Sequence, residues 1–114
     1  MESHIEIQKV NSRVTVRVAG KTLAQSSSTL VLLEGDLPRR HYFPREDVNI
    51  DLLVPSQSVT HCPHKGDAQY WSFQTDDHYL EDVVWCYPSP IEQMSSIGGL
   101  LCFYNERVDL EIAD

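Results

Sequence analysis

The sequence predicts an all-β domain, and three observations carry that reading. Apolar residues recur at every second position along much of the chain, turn-forming residues interrupt them at short intervals, and only one stretch has the chemistry of a helix start. At 114 residues, with 41% hydrophobic and 23% charged, the chain has the size and composition of one globular domain able to bury a core without staples. Residues 1–114 therefore read as a single domain, without repeat or linker.

The elements follow in order. "HIEIQKV" alternates through Ile5 and Ile7, and Asn11–Ser12 is turn chemistry. In "RVTVRVA", Val14, Val16 and Val18 face one way, with Thr15 and Arg17 on the other side. Ala19–Gly20–Lys21 makes the next turn, and "TLAQ" and "TLVLLE" continue the strands. "EGDLPRR" reads as a loop, "HYFP" as a short extended piece ended by Pro44, and "NIDLLVPS" as another strand. "AQYWSF", a turn at Thr75–Asp77 and the strand "EDVVWCYP" come next. "SPIEQMSSIGG" is the one helical segment. Ser89 caps it, Pro90 suits its first position, Glu92 completes a capping box, and Gly98–Gly99 stop it after about two turns. "LLCFY" and "RVDLEIA" close the chain as a hairpin across Asn105–Glu106, with Val108, Leu110 and Ile112 on the buried face. So many short strands must close into a barrel, sandwich or folded sheet to hide their edges.

Charge narrows the partners. The formal net charge is −8, and the acids are spread along the chain without a clustered Lys/Arg stripe. Counterion release and anionic lipid both require such a stripe, so nucleic acid and membrane surfaces are not expected partners. No apolar run reaches membrane-spanning length, and the polar start "MESHIEIQ" is not expected to be a signal peptide. Cys62, Cys86 and Cys102 are odd in number and lack a CxxC pair, which points to free thiols and a cytoplasmic setting.

The densest chemistry is "VTHCPHKGDAQYWSF", residues 59 to 73. His61, Cys62 and His64 are metal-ligand types, but a structural zinc site needs a second knuckle, which is missing; no metal and no cofactor are expected. Cys62 lies among His61, His64 and Lys65, and neighbouring positive charge favours a nucleophilic thiolate. Against that stands a loop cysteine that packs as a small hydrophobe. Trp71 alternates with Gln69 and Phe73, and Trp85 with Val83 and Tyr87. These rings are core packing or the walls of a cleft. Gly66 lets the backbone turn sharply or approach a ligand, and Lys65 adds one cation, a combination suited to a planar or anionic small molecule. "KG" without an upstream glycine or a following Ser/Thr helix is no P-loop. Asp109, beside Arg107, is an ion-pair partner or part of a site.

"HYFPREDV", "LLVPS", "THCPHKGDAQYWSF", "VVWCYPSP" and "CFYNERVDLEI" together resemble the domain-of-unknown-function 427 family, also labelled nucleotidyltransferase-like. The likeness runs from about Val14 to Ile112, and T-x-C-P-x-K-G-x-A-x-Y-W-S is its most specific part. Positions matching the family signature are Tyr42, Pro44, Asp47, Cys62, Pro63, Lys65 and Gly66, then Trp71, Trp85, Tyr87, Phe103, Tyr104 and Asp109. His64 stands where the family commonly has tyrosine. The resemblance implies a β-tent similar to methionine sulfoxide reductase B and the cereblon ligand-binding domain: two antiparallel sheets pinned at one edge, with at most one short helix. It implies no activity. The paired zinc cysteines of many β-tents and the reductase's late catalytic cysteine have no counterpart here. Nor is there a pair of spaced aspartates for magnesium after a Gly-Ser turn, as nucleotidyl transfer requires.

The expected function is binding of a small planar or anionic ligand in one cleft between the sheets, by a monomer or homodimer. Tyr42, Lys65, Gly66, Trp71, Trp85, Tyr87 and Asp109 are the candidate ligand contacts. The alternatives are an enzyme using Cys62 as nucleophile, with Lys65 in support and His61 or His64 as base, and a peptide-interaction module.

Overall fold

The computed structural model describes residues 4–113. Among the described residues ten strands form two sheets, and every pairing is antiparallel. The strands are β1 (Ile5–Val10), β2 (Val14–Val18), β3 (Lys21–Ser26), β4 (Thr29–Glu34), β5 (Arg40–Phe43), β6 (Leu53–Cys62), β7 (Gly66–Gln74), β8 (Tyr79–Cys86), β9 (Leu101–Phe103) and β10 (Asp109–Ile112). Seven of them make one sheet in the order β1-β4-β5-β9-β8-β7-β6, and β10-β2-β3 make the other. This is the all-β, two-sheet fold that the period-two pattern and the β-tent resemblance led one to expect.

The sheets enclose the main core. Val14, Val16, Val18, Leu23 and Ala24 of the small sheet meet Phe43, Phe73, Val83, Val84, Leu101 and Phe103 of the large one, all nearly or fully inaccessible to solvent. Phe43 and Phe103 meet edge to face, with centroids 5.3 Å apart. The large sheet is apolar on its outer face as well. There Leu32, Tyr42, Trp85, Tyr87 and Cys102 pack beneath Met94 and Ile97. That second apolar layer explains why "TLVLLE" and "DVVWCY" read as nearly continuous hydrophobic runs.

Several connections differ from the linear reading. At residues 11–13 the chain leaves the large sheet for the small one: β1 pairs with β4, while β2 pairs with β3 and β10. The β2–β3 turn is as expected. Ala19 (φ 53) and Gly20 (φ 78) both take positive φ, as a two-residue hairpin turn requires. Strands β9 and β10 do not form a hairpin. β9 fills the gap between β5 and β8, and β10 crosses to the edge of the small sheet. Turn chemistry at Asn105–Glu106 marks a reversal without saying which strands it joins. Val108, just before β10, and Leu110 on it are half-buried and Ile112 is 50% exposed, because an edge strand covers only part of the core.

"NIDLLVPS" begins with a 3-10 turn at Ile50–Leu52 before β6 starts. The expected helix is likewise a short 3-10 segment, Glu92–Ile97, broken at Met94. Its N-cap is Ile91, with no side-chain cap bond, so the Ser89 capping box does not form. Met94 and Ile97 must both face the outer core within so few residues, and a tight, kinked turn allows it.

A bulge in β8 brings one extra side chain into the inner core. Asp82 takes φ 52, and the β7–β8 register shifts between Trp71 and Phe73. Ser72 Oγ accepts the Asp82 N–H at 3.0 Å, and Ser58 Oγ donates to the Asp82 carboxylate at 2.6 Å, which pins the irregularity. Strict alternation would put Val83, Trp85 and Tyr87 on one face. Instead Val83 and Val84 both enter the inner core, and Trp85 and Tyr87 turn outward.

Candidate functional site

The β6–β7 hairpin carries the dense motif. Lys65 N–H donates to Cys62 C=O at 3.1 Å, closing a turn with Pro63 and His64 at its centre. Proline pre-sets the backbone angle such a turn needs at its second position. Gly66 follows with φ 127, and a Cβ there would stand 3.2 Å from Pro90 Cα and 3.5 Å from Ser89 O. Ile91 N–H donates to Lys65 C=O at 2.9 Å. Gly66 is thus required by the close approach of residues 89–91 to the hairpin tip, and it contacts this chain's own backbone in place of a ligand.

Lys65 folds inward. Its ammonium donates to Glu34 Oε1 at 2.6 Å and approaches Cys62 Sγ at 3.8 Å. Both members of the ion pair are nearly buried, the side chains 11% and 13% exposed. Neither histidine bonds to Cys62. His61 Nδ1 pairs with Asp67 at 2.7 Å on the exposed side of the hairpin, and as the neighbour of Cys62 in a strand it projects to the opposite face. His64 sits exposed at the turn. Cys62 itself packs at the margin of the outer core.

Beside the Lys65–Glu34 pair lies a depression of about 140 Å³ on the outer face of the large sheet. Leu32, Glu34, Leu37, Pro38, Arg40, Tyr42, Lys65, Trp85 and Tyr87 line it. Cross-strand register assembles them. Leu32 faces Arg40, and Tyr42 and Trp85 flank Cys102 from the two neighbouring strands. The Arg40 guanidinium lies 5.4 Å from the ring centres of both Trp85 and Tyr104, which are themselves 4.5 Å apart. It also grips Glu106 with bonds of 2.8 and 3.2 Å. Burial works against the Arg40 charge, but the Glu106 hydrogen bond and charge outweigh it and hold the guanidinium pKa above its ordinary value. The same hydrogen bond holds the exposed Glu106 carboxyl below its usual range.

Burial pushes the phenols of Tyr42 and Tyr87 well above the usual tyrosine range, so both remain protonated donors near neutrality. Cys102, under the floor, is fully inaccessible and its thiol is likewise pushed up by burial. Two cations, Lys65 and Arg40, thus border the depression, each paired with a carboxylate, Glu34 and Glu106 respectively.

Tyr42, Lys65, Trp85 and Tyr87 therefore share one depression, whereas Trp71 and Asp109 lie elsewhere. Trp71 pairs with Val84 and so points to the inner face, half-buried against the main core, with Arg45 5.7 Å from its ring. Trp85 pairs with Tyr70 on the outer face. Two tryptophans on opposite faces of one sheet cannot wall a common cleft, and the space between the sheets is packed core. Asp109 is exposed on β10, beside an open hollow of about 380 Å³ that includes Arg17, His78 and Arg107. Arg107 donates to Glu81 C=O at 2.7 Å, so it is not the ion-pair partner of Asp109. Glu34 and Arg40 escaped the sequence reading. The usable signal was alternation: Arg40 precedes Tyr42 by two and Glu34 follows Leu32 by two, which places each on the same face as its apolar mate.

Among the described residues, no three His, Cys, Asp or Glu side chains come close enough together to hold a metal ion, and no helix is long and apolar enough to cross a membrane. No curated protein matches the chain. The family model described as "Domain of unknown function (DUF427)" matches residues 6–114. With a match over nearly its whole length, carried on two antiparallel sheets, the chain belongs to the DUF427 family.

Proposed function

We propose that the outer-face depression binds a small planar anion, a single ring bearing one carboxylate or comparable group. The observation that supports this reading is the placement of two cations, Lys65 and Arg40, at one apolar recess formed by Leu32, Tyr42, Trp85 and Tyr87. Each cation already holds a carboxylate, so an entering anion shares Lys65 with Glu34 or displaces it. Protonated Tyr42 and Tyr87 offer hydroxyl donors rather than bases. The volume of about 140 Å³ is well below the ~300 Å³ at which drug-sized pockets begin. A nucleoside triphosphate is too large for it, and a ligand of one ring is in proportion.

Calorimetric titration with benzoate, nicotinate and a panel of other single-ring carboxylates tests the proposal. Binding should weaken at least tenfold in Lys65→Met and in Arg40→Met, with folding of both variants confirmed by circular dichroism. Glu34→Gln, which frees the lysine, should bind more tightly. Equal affinity in wild type and both cation variants would sink the assignment, as would no binding across the panel.

A further inference from the structure

The pairing of Cys62 with Lys65 has a use that ligand binding does not absorb. A thiol sulfur and an amine nitrogen lie 3.8 Å apart at the two ends of one tight turn, and the amine is held by a carboxylate at 2.6 Å. The Lys65 N–H···O=C Cys62 bond and the packing of Pro90 against Gly66 hold the backbone of that turn in place. Bringing the two atoms into bonding distance therefore asks only for side-chain rotation. Of the three cysteines, Cys62 is the one with appreciable exposure, since Cys86 is 3% and Cys102 0% accessible.

We propose that Cys62 and Lys65 form a peroxide-driven, reversible sulfenamide cross-link, with Glu34 as the proton acceptor. Hydrogen peroxide first oxidises the Cys62 thiol to the sulfenic acid and is itself reduced to water. The Lys65 nitrogen, its lone pair freed by transfer of one proton to Glu34, then attacks the electrophilic sulfur. The S–N bond forms and the S–O bond breaks. One ammonium proton passes to the Glu34 carboxylate, a second leaves with the departing hydroxide as water, and one stays on nitrogen. A dithiol reductant reverses the step: one thiol attacks the sulfur and releases the amine, and the second resolves the resulting mixed disulfide to the free Cys62 thiol. The product removes the Lys65 charge and neutralises Glu34 together, so no unpaired charge is left buried. If the ligand reading above holds, oxidation also switches binding off. That consequence rests on the ligand proposal, whereas the cross-link itself does not.

The test is mass spectrometry on the full chain. After brief exposure to hydrogen peroxide and quenching with catalase, the intact mass should fall by about 2 Da, as loss of two hydrogens requires. Peptide mapping should join Cys62 to Lys65, and dithiothreitol should restore the original mass. The change should vanish in Cys62→Ser and in Lys65→Arg, the latter keeping the charge opposite Glu34 while removing the simple amine. A loss of about 2 Da that persists in Lys65→Arg signals a disulfide and overturns the proposal. Gains of about 16 or 32 Da confined to Cys62, or of about 14 Da on the joined peptide, overturn it too, marking sulfenic or sulfinic acid and an oxygen-bridged link respectively.

Discussion

At a solvent-exposed rim, Lys65 could be exchanged for methionine with the melting temperature nearly unchanged. The structure requires a different outcome. The ammonium and the Glu34 carboxylate are 2.6 Å apart, and each side chain is only about one-eighth exposed. Removing one partner leaves the other charge desolvated and unpaired, which costs about 3 kcal/mol, the low end for buried pairs because the depression admits water. For a chain of this length that is a fall of roughly 10–18 °C in melting temperature. Lys65→Met and Glu34→Gln should each show it in urea unfolding, as a lower midpoint at unchanged m-value. The double variant Lys65→Met/Glu34→Leu removes both charges and keeps the volume, so it should lie within about 1 kcal/mol of wild type. A double-mutant cycle reads the coupling directly. Single variants within about 0.5 kcal/mol of wild type, or a double variant equal to the sum of the singles, would refute the reasoning.

Other outcomes follow from the same geometry. Gly66→Ala should cost about 2–4 kcal/mol, combining backbone strain at φ 127 with the contact against Pro90. Gly99→Ala, at φ 77 with nothing nearby, should carry the strain alone, and equal losses in chemical denaturation would remove the close-approach argument. Under native conditions iodoacetamide should modify Cys62 well before Cys86 and Cys102, whose thiols are buried and pushed up in pKa by that burial; simultaneous labelling of all three would contradict the packing. His41 is buried, and burial first, then the Arg39 charge, lowers its pKa. The unfolded chain therefore binds a proton more readily, so this contribution to stability is complete above about pH 6.5 and declines as pH falls toward the folded pKa. His41→Gln should flatten that slope in pH-dependent urea titrations, and an unchanged slope would show that other groups set it.

Much of the fold was legible in the sequence because the period-two pattern is a local property. Val14, Val16 and Val18 had to share a face, and Ala19–Gly20 had to turn, whatever lay opposite. The specific motif around Cys62 likewise pointed to the family on its own. Partner choice was not legible. β9 and β10 read as a hairpin because they adjoin in sequence, yet long-range pairing sends them to different sheets. The helix signals at Ser89–Glu92 yielded to the need to bury Met94 and Ile97 over the outer face. The site shows the division most clearly. Sequence alone put Trp71, Trp85 and Lys65 on the same short list. Cross-strand register decided which rings share a face: Trp71 stands opposite Val84 and Trp85 opposite Tyr70, so the two indoles project to opposite sides of the sheet. The partner of Lys65 was also a tertiary matter. Glu34 lies thirty-one residues away and meets it only because the β6–β7 tip folds across the end of β4. An ion pair depends on distance in space, and no spacing along the chain encodes it.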